Sequence, residues 1–164
     1  VVRHACGTMK QGIEIKVSRK PDDDGLFKFN IILSNGKIFT SLDFWDYSDN
    51  LKGFGRQLMD FPQGLKDTVT YELGENANEK PPKWSYYLLL NVFCFEPSGQ
   101  SAIKVIVNDN SEIPDCIRSE FYIKSGVASL NRFGRELCTW NPEDDKPLNW
   151  FSDEHERSKH ERTT

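Results

Sequence analysis

Histidine is nearly missing from this chain: three in 164 residues, at His4, His155 and His160, all outside the patterned middle. A core without imidazole has no base for a Ser or Cys nucleophile and no histidine ligands for zinc. His155 and His160 are also poorly spaced for one helix face, and they read as part of a solvated tail. GxxxxGK[ST] and HExxH are absent, and Gly53-Phe54-Gly55-Arg56, which has the look of a glycine loop, falls inside a helical pattern. No apolar run approaches the roughly 18 residues of a membrane span. The four cysteines, Cys6, Cys94, Cys116 and Cys138, include no CxxC pair. They read as buried free thiols of a reducing, cytoplasmic compartment, with a disulfide left open. Positive charge is in short supply too: 21 Lys and Arg against 25 Asp and Glu give a net charge of −4. A nucleic-acid partner needs a basic field, so none is expected, and no membrane partner either.

Aromatic residues, by contrast, are plentiful, with 11 Phe, 5 Tyr and 4 Trp. A disordered chain does not carry that supply, and the length suits one domain. Residues 13–17 alternate as a half-buried strand, and 26–33 is a second strand. Asn35-Gly36 makes a hairpin turn into a third strand at 38–45. The acidic run at 22–24 lacks the alternating ligands of a calcium loop and reads as a turn. Asp46 or Ser48 is placed to cap a helix near 49–60, which Pro62 ends. Strands follow at 68–73, 84–95, 102–107 and 117–123, then a second helix near 126–138. In the 84–95 strand both faces are apolar, which predicts an interior strand covered on two sides.

The two helices echo each other. Leu51, Phe54, Gly55, Arg56 and Leu58 recur in order as Leu130, Phe133, Gly134, Arg135 and Leu137. Leu, Phe and Leu form a stripe that docks on a sheet. Gly55 and Gly134 lie on that stripe and predict close approach to a strand backbone. The fold class expected is α+β: an antiparallel-rich β-sheet system with two main helices, built from a pseudo-duplicated strands-then-helix unit. The domain spans 9–141, with pseudo-repeats about 13–62 and 67–141. Residues 1–8 are expected to be a leader or remnant, with no secretion signal, and 142–164 an acidic, charged tail whose Trp150 and Phe151 dock on the domain.

No catalytic residues, metal ligands or cofactors are assigned. Asp43, Asp46 and Asp49 cluster at a helix start, where the dipole favours acids without any chemistry. Along 38–45 the inward set is Ile38, Leu42 and Phe44. That leaves Phe39, Asp43 and Trp45 on the other face, beside Tyr47 and Asp49. These five are the candidate partner-binding residues, aromatic anchors among carboxylates.

The order of these features over residues 13–137 resembles the WapI-type family of bacterial immunity proteins. The features are a hairpin into 38–45, the Leu51-x-x-Phe54-x-x-x-Leu58 helix, the TVTYEL strand at 68–73, the aromatic-aliphatic strand, and Leu130-x-x-Phe133-x-x-x-Leu137. The resemblance implies a cytoplasmic protein, not an enzyme, that neutralises a toxin domain by stoichiometric binding. Two other readings stay open. One is a small-molecule binder or unrecognised enzyme with a pocket between the strand groups. The other is an adaptor whose sheet edge pairs with another chain, or with itself in a homodimer.

Overall fold

The computed structural model describes residues 10–76 and 85–153. The proposed leader, Trp84 and all three histidines lie outside them. The strands are β1 (Gln11–Arg19), β2 (Phe27–Asn35), β3 (Phe39–Asp46), β4 (Thr68–Gly74), β5 (Tyr87–Cys94), β6 (Ser101–Asn108), β7 (Arg118–Ser125) and β8 (Leu148–Phe151). The helices are α1 (Ser48–Met59) after β3 and α2 (Val127–Thr139) after β7. They make an α+β fold of two antiparallel four-stranded sheets, in the orders β3-β2-β1-β8 and β4-β5-β6-β7.

The echo between the helices extends to the strands before them. β3 and β7 are both eight residues long and stand at the same offset as Leu51 and Leu130. The strand after each helix then joins the other half's sheet. β4 follows α1 and pairs with β5, while β8 follows α2 and pairs with β1. The repeating unit is therefore β-β-β-α-β with its last strand exchanged. The domain accordingly runs past 141. Trp150 docks on the domain as expected, buried in the core with Leu148, and its indole N–H donates to the Ser129 carbonyl at 3.0 Å.

The core lies between the inner sheet faces and the helix pair. Phe54 meets Tyr71 of the second sheet and Phe133 of α2 at centroid distances of 5.5 and 6.3 Å. Phe133 stacks on Trp150 at 4.8 Å. The glycine expectation needs correcting. Gly55 and Gly134 approach each other's helix, not a strand. A Cβ on Gly55 would stand 2.7 Å from the Gly134 carbonyl oxygen, and one on Gly134 2.5 Å from that of Gly55. Packing two helix backbones at this distance requires a residue with no side chain on both sides. Asn131 fastens the same junction, its amide donating to the carbonyls of Leu58 and Phe61 at 2.7 and 2.8 Å.

Two other expectations differ. β5 is interior to its sheet, but among the described residues no other layer covers its second face. Leu89 and Phe93 are only half-buried, and Phe95 is exposed. Neighbours on the same face shelter them, as Tyr122 does edge-on to Phe93 at 6.0 Å. Ile38 is exposed rather than inward, because it belongs to the turn before β3, where Asn35 N–H bonds the Ile38 carbonyl.

Candidate functional site

Alternation along β3 divides its side chains cleanly. Thr40, Leu42, Phe44 and Asp46 are buried, and Phe39, Ser41, Asp43 and Trp45 face outward. Phe39 is 61% exposed and Trp45 38%, so among the described residues no neighbouring layer covers them. Tyr47 and Asp49 are exposed as well, but they lie past the strand end, at the start of α1. The structure thus places Phe39, Asp43 and Trp45 on one sheet face and Tyr47 and Asp49 at its rim.

Register extends this face across the sheet. Phe39 lies beside Ser34, Ser34 beside Gly12, and Gly12 beside Phe151. Two aromatic rings therefore flank a floor of small residues, about 14 Å apart across three strand spacings. Gly12 cannot carry a side chain, since its Cβ would stand 2.0 Å from the Trp150 carbonyl oxygen. Lys10 Nζ lies 4.9 Å from the Phe151 ring centroid, and Lys28 Nζ lies 5.8 Å from that of Trp45. Two shallow depressions open here, one along Lys10, Gly12, Ser34, Phe39 and Phe151, the other along Lys28, Asn30, Asp43, Trp45 and Tyr86. The sequence reading missed Phe151, Lys10 and Tyr86. The weak signal was a Trp-Phe pair in an otherwise polar tail.

Asp43 is not a lone charge. It accepts from the Asn30 amide at 2.8 Å and stands 3.8 Å from Lys28 Nζ. Trp45 is held from outside the sheet, its N–H donating to the Tyr86 hydroxyl at 3.0 Å while that hydroxyl donates to the Trp45 carbonyl at 3.3 Å. Beneath them Asp46 is buried. One of its oxygens accepts from Tyr47 N–H at 2.8 Å and from the Asn50 amide at 2.6 Å, and the other accepts a hydrogen bond from the Tyr71 hydroxyl. The helix N-cap itself is Tyr47, with no side-chain cap bond. At the equivalent point of the second half, Gly126 N–H donates to Asp153 at 2.8 Å, so a carboxylate meets the same backbone group in both halves.

Burial pushes the Tyr71 hydroxyl well above its ordinary range, and the Asp46 carboxylate adds to the effect. Tyr87, desolvated and bonded to Glu72, is pushed up to about 12. Burial also raises the Glu136 carboxyl, against the pull of Arg132 and Arg135. Among the described residues, no group of three or more His, Cys, Asp and Glu could hold a metal ion. None of their helices is long and apolar enough to cross a membrane.

The fold and this face define an α+β domain with an open aromatic sheet surface. No family model and no curated protein matches the chain. Two solved structures are similar to it. One is the plant transcriptional regulator PBF-2, at 11% identity over 77% of this chain and 76% of that one, with a TM-score of 0.41. The other is WHY3 from Arabidopsis thaliana, at 10% identity over 78% and 82%, with a TM-score of 0.39. The expectation of no nucleic-acid partner is withdrawn on the make-up of this face. It rested on net charge alone, and a net charge of −4 is a property of the whole chain, not of one face. The face itself carries Lys10, Lys16 and Lys28 against Glu14 and Asp43.

Proposed function

We propose that this chain is a cytoplasmic binding protein without catalytic activity, and that its partner seats on the outer face of the first sheet. The observation that carries the reading is the exposure of Phe39 and Trp45 on a strand whose other face is locked into the core. Rigid, exposed aromatic side chains lose little entropy on binding and are the types that dominate interface energies. The sequence resemblance supports a toxin protein domain as that partner, neutralised by stoichiometric capture. Asp49, and Asp43 to a lesser degree, would favour a basic partner surface.

A second reading rests on a separate observation, the lysine set over an aromatic ring at both Trp45 and Phe151. Stacking rings interleaved with cations suit the bases and backbone of a single-stranded nucleic acid. One titration separates the two: a toxin domain as the proposed partner, and a single-stranded oligothymidine, each followed by tryptophan fluorescence. Saturable one-to-one binding of the domain, with loss of its toxicity, supports the first reading. Binding of the oligonucleotide instead moves the assignment to the second.

A further inference from the structure

The first sheet ends at β3, and the phase of its hydrogen bonds is fixed at both ends of the strand. At one end, Asn35 N–H bonds the Ile38 carbonyl and closes the hairpin. At the other, the N–H and C=O of Trp45 both meet the Tyr86 hydroxyl, so they point away from β2. Hydrogen-bonding direction alternates along a strand. The amides and carbonyls of Phe39, Ser41 and Asp43 therefore line the same open edge as those of Trp45. Among the described residues, no hydrogen bond reaches them there. Tyr86 stops the edge at Trp45, leaving three consecutive donor-acceptor sites.

Proteins ordinarily guard a long edge with lysine, proline, a bulge or shortness. β8 is short, at four residues, and β7 sets Arg118, Glu120, Tyr122 and Lys124 on its exposed face. β3 has neither defence. It is eight residues long, and Asp43 is the one charge among its outward side chains. From Phe39 to Asn50 the chain exposes two aspartates, Asp43 and Asp49, and no basic residue, a third, Asp46, being buried.

We infer that β3 is a strand-addition site: an extended segment of a partner protein, alternating basic and apolar residues, pairs with Phe39, Ser41 and Asp43. Backbone bonds supply the attachment, and alternate side chains supply selectivity. Its basic side chains lie toward the outer face, where they take the place of Lys28 at Asp43, and Phe39 and Trp45 bracket them. This deepens the reading of that face as the partner surface and rests on it.

The test uses the whole chain and a synthetic nonapeptide alternating lysine and valine. Amide exchange by NMR is expected to slow at Phe39, Ser41 and Asp43 when the peptide binds. N-methylating alternate peptide residues removes donors without altering the protein, and about a tenfold loss of affinity is expected. Ser41→Pro removes an edge donor that makes no ladder bond, a substitution edge strands tolerate, and it should do the same. No binding at millimolar peptide, binding without protection of these amides, or indifference to N-methylation would each overturn the inference. So would protection in the free protein that grows with its concentration, which would put a second copy on the edge. If the edge fails while Trp45→Ala still weakens binding of the toxin domain, the partner face stands and strand addition alone falls.

Discussion

Trp45 does two things at once, holding its backbone against Tyr86 and offering its ring to solvent. Trp45→Ala keeps the backbone bonds and removes the ring. Partner affinity is expected to fall about 30-fold or more, with the melting temperature nearly unchanged. Asp49→Asn should mainly slow association, and less so at high salt, whereas Asp43→Asn should do less because Asn30 and Lys28 already engage that carboxylate. Tyr71 beneath them makes a different prediction. Its proton is bound more tightly folded than unfolded, so its contribution is complete below the ordinary tyrosine pKa of about 10 and is lost as pH rises above it. Tyr87, raised to about 12, acts with the same sign. Stability should fall above about pH 10, and Tyr71→Phe should flatten that fall in urea titrations at pH 8 to about 11. Much of this scale was legible. Alternation along 39–45 set Phe39 and Trp45 outward as the structure has them. The Tyr86 clamp was not, because it joins residues far apart in sequence whose meeting only the fold decides.

At the scale of elements, seven strands and both helices follow from periodicity and turn residues. The eighth strand does not. Residues 148–151 sit in an acidic, proline-broken stretch with no alternation long enough to read. They become a strand because Trp150 fills a hole between α2 and the first sheet. The glycines were read correctly as positions of close approach and assigned the wrong neighbour, since helix stripes show which face is buried but not against what. The corrected contact separates two glycines of one helix. Gly55→Ala must push the Gly134 carbonyl or Leu137 away and should cost about 1–3 kcal/mol despite its better helix propensity. For Gly53→Ala the nearest atom is the flexible end of Arg56 at 3.9 Å, so it should stabilise by about 0.5–1 kcal/mol. Opposite signs in parallel urea melts are the expected result. Two gains would mean the helices do not meet closely at Gly55.

For the molecule as a whole, the exchanged strands make each half complete the other, so the domain is not divisible at 62 or at 141. A chain ending at 141 loses β8, exposes the inner edge of β1 and empties the site of Trp150. It should show no cooperative melt, and Trp150→Ala in the full chain should cost about 3–5 kcal/mol. Because the core is shared, the outer face of the first sheet is a rigid platform, which is the property a binding surface needs and a bulk charge count cannot reveal. That platform is the central claim. It is tested most directly by isothermal titration of the proposed partner, a toxin domain, into the wild-type chain and into Trp45→Ala, with circular dichroism and melting of both to confirm the fold. The account predicts one-to-one binding by the wild type and about a 30-fold or greater loss in the folded variant. Equal affinity of a folded Trp45→Ala would contradict it.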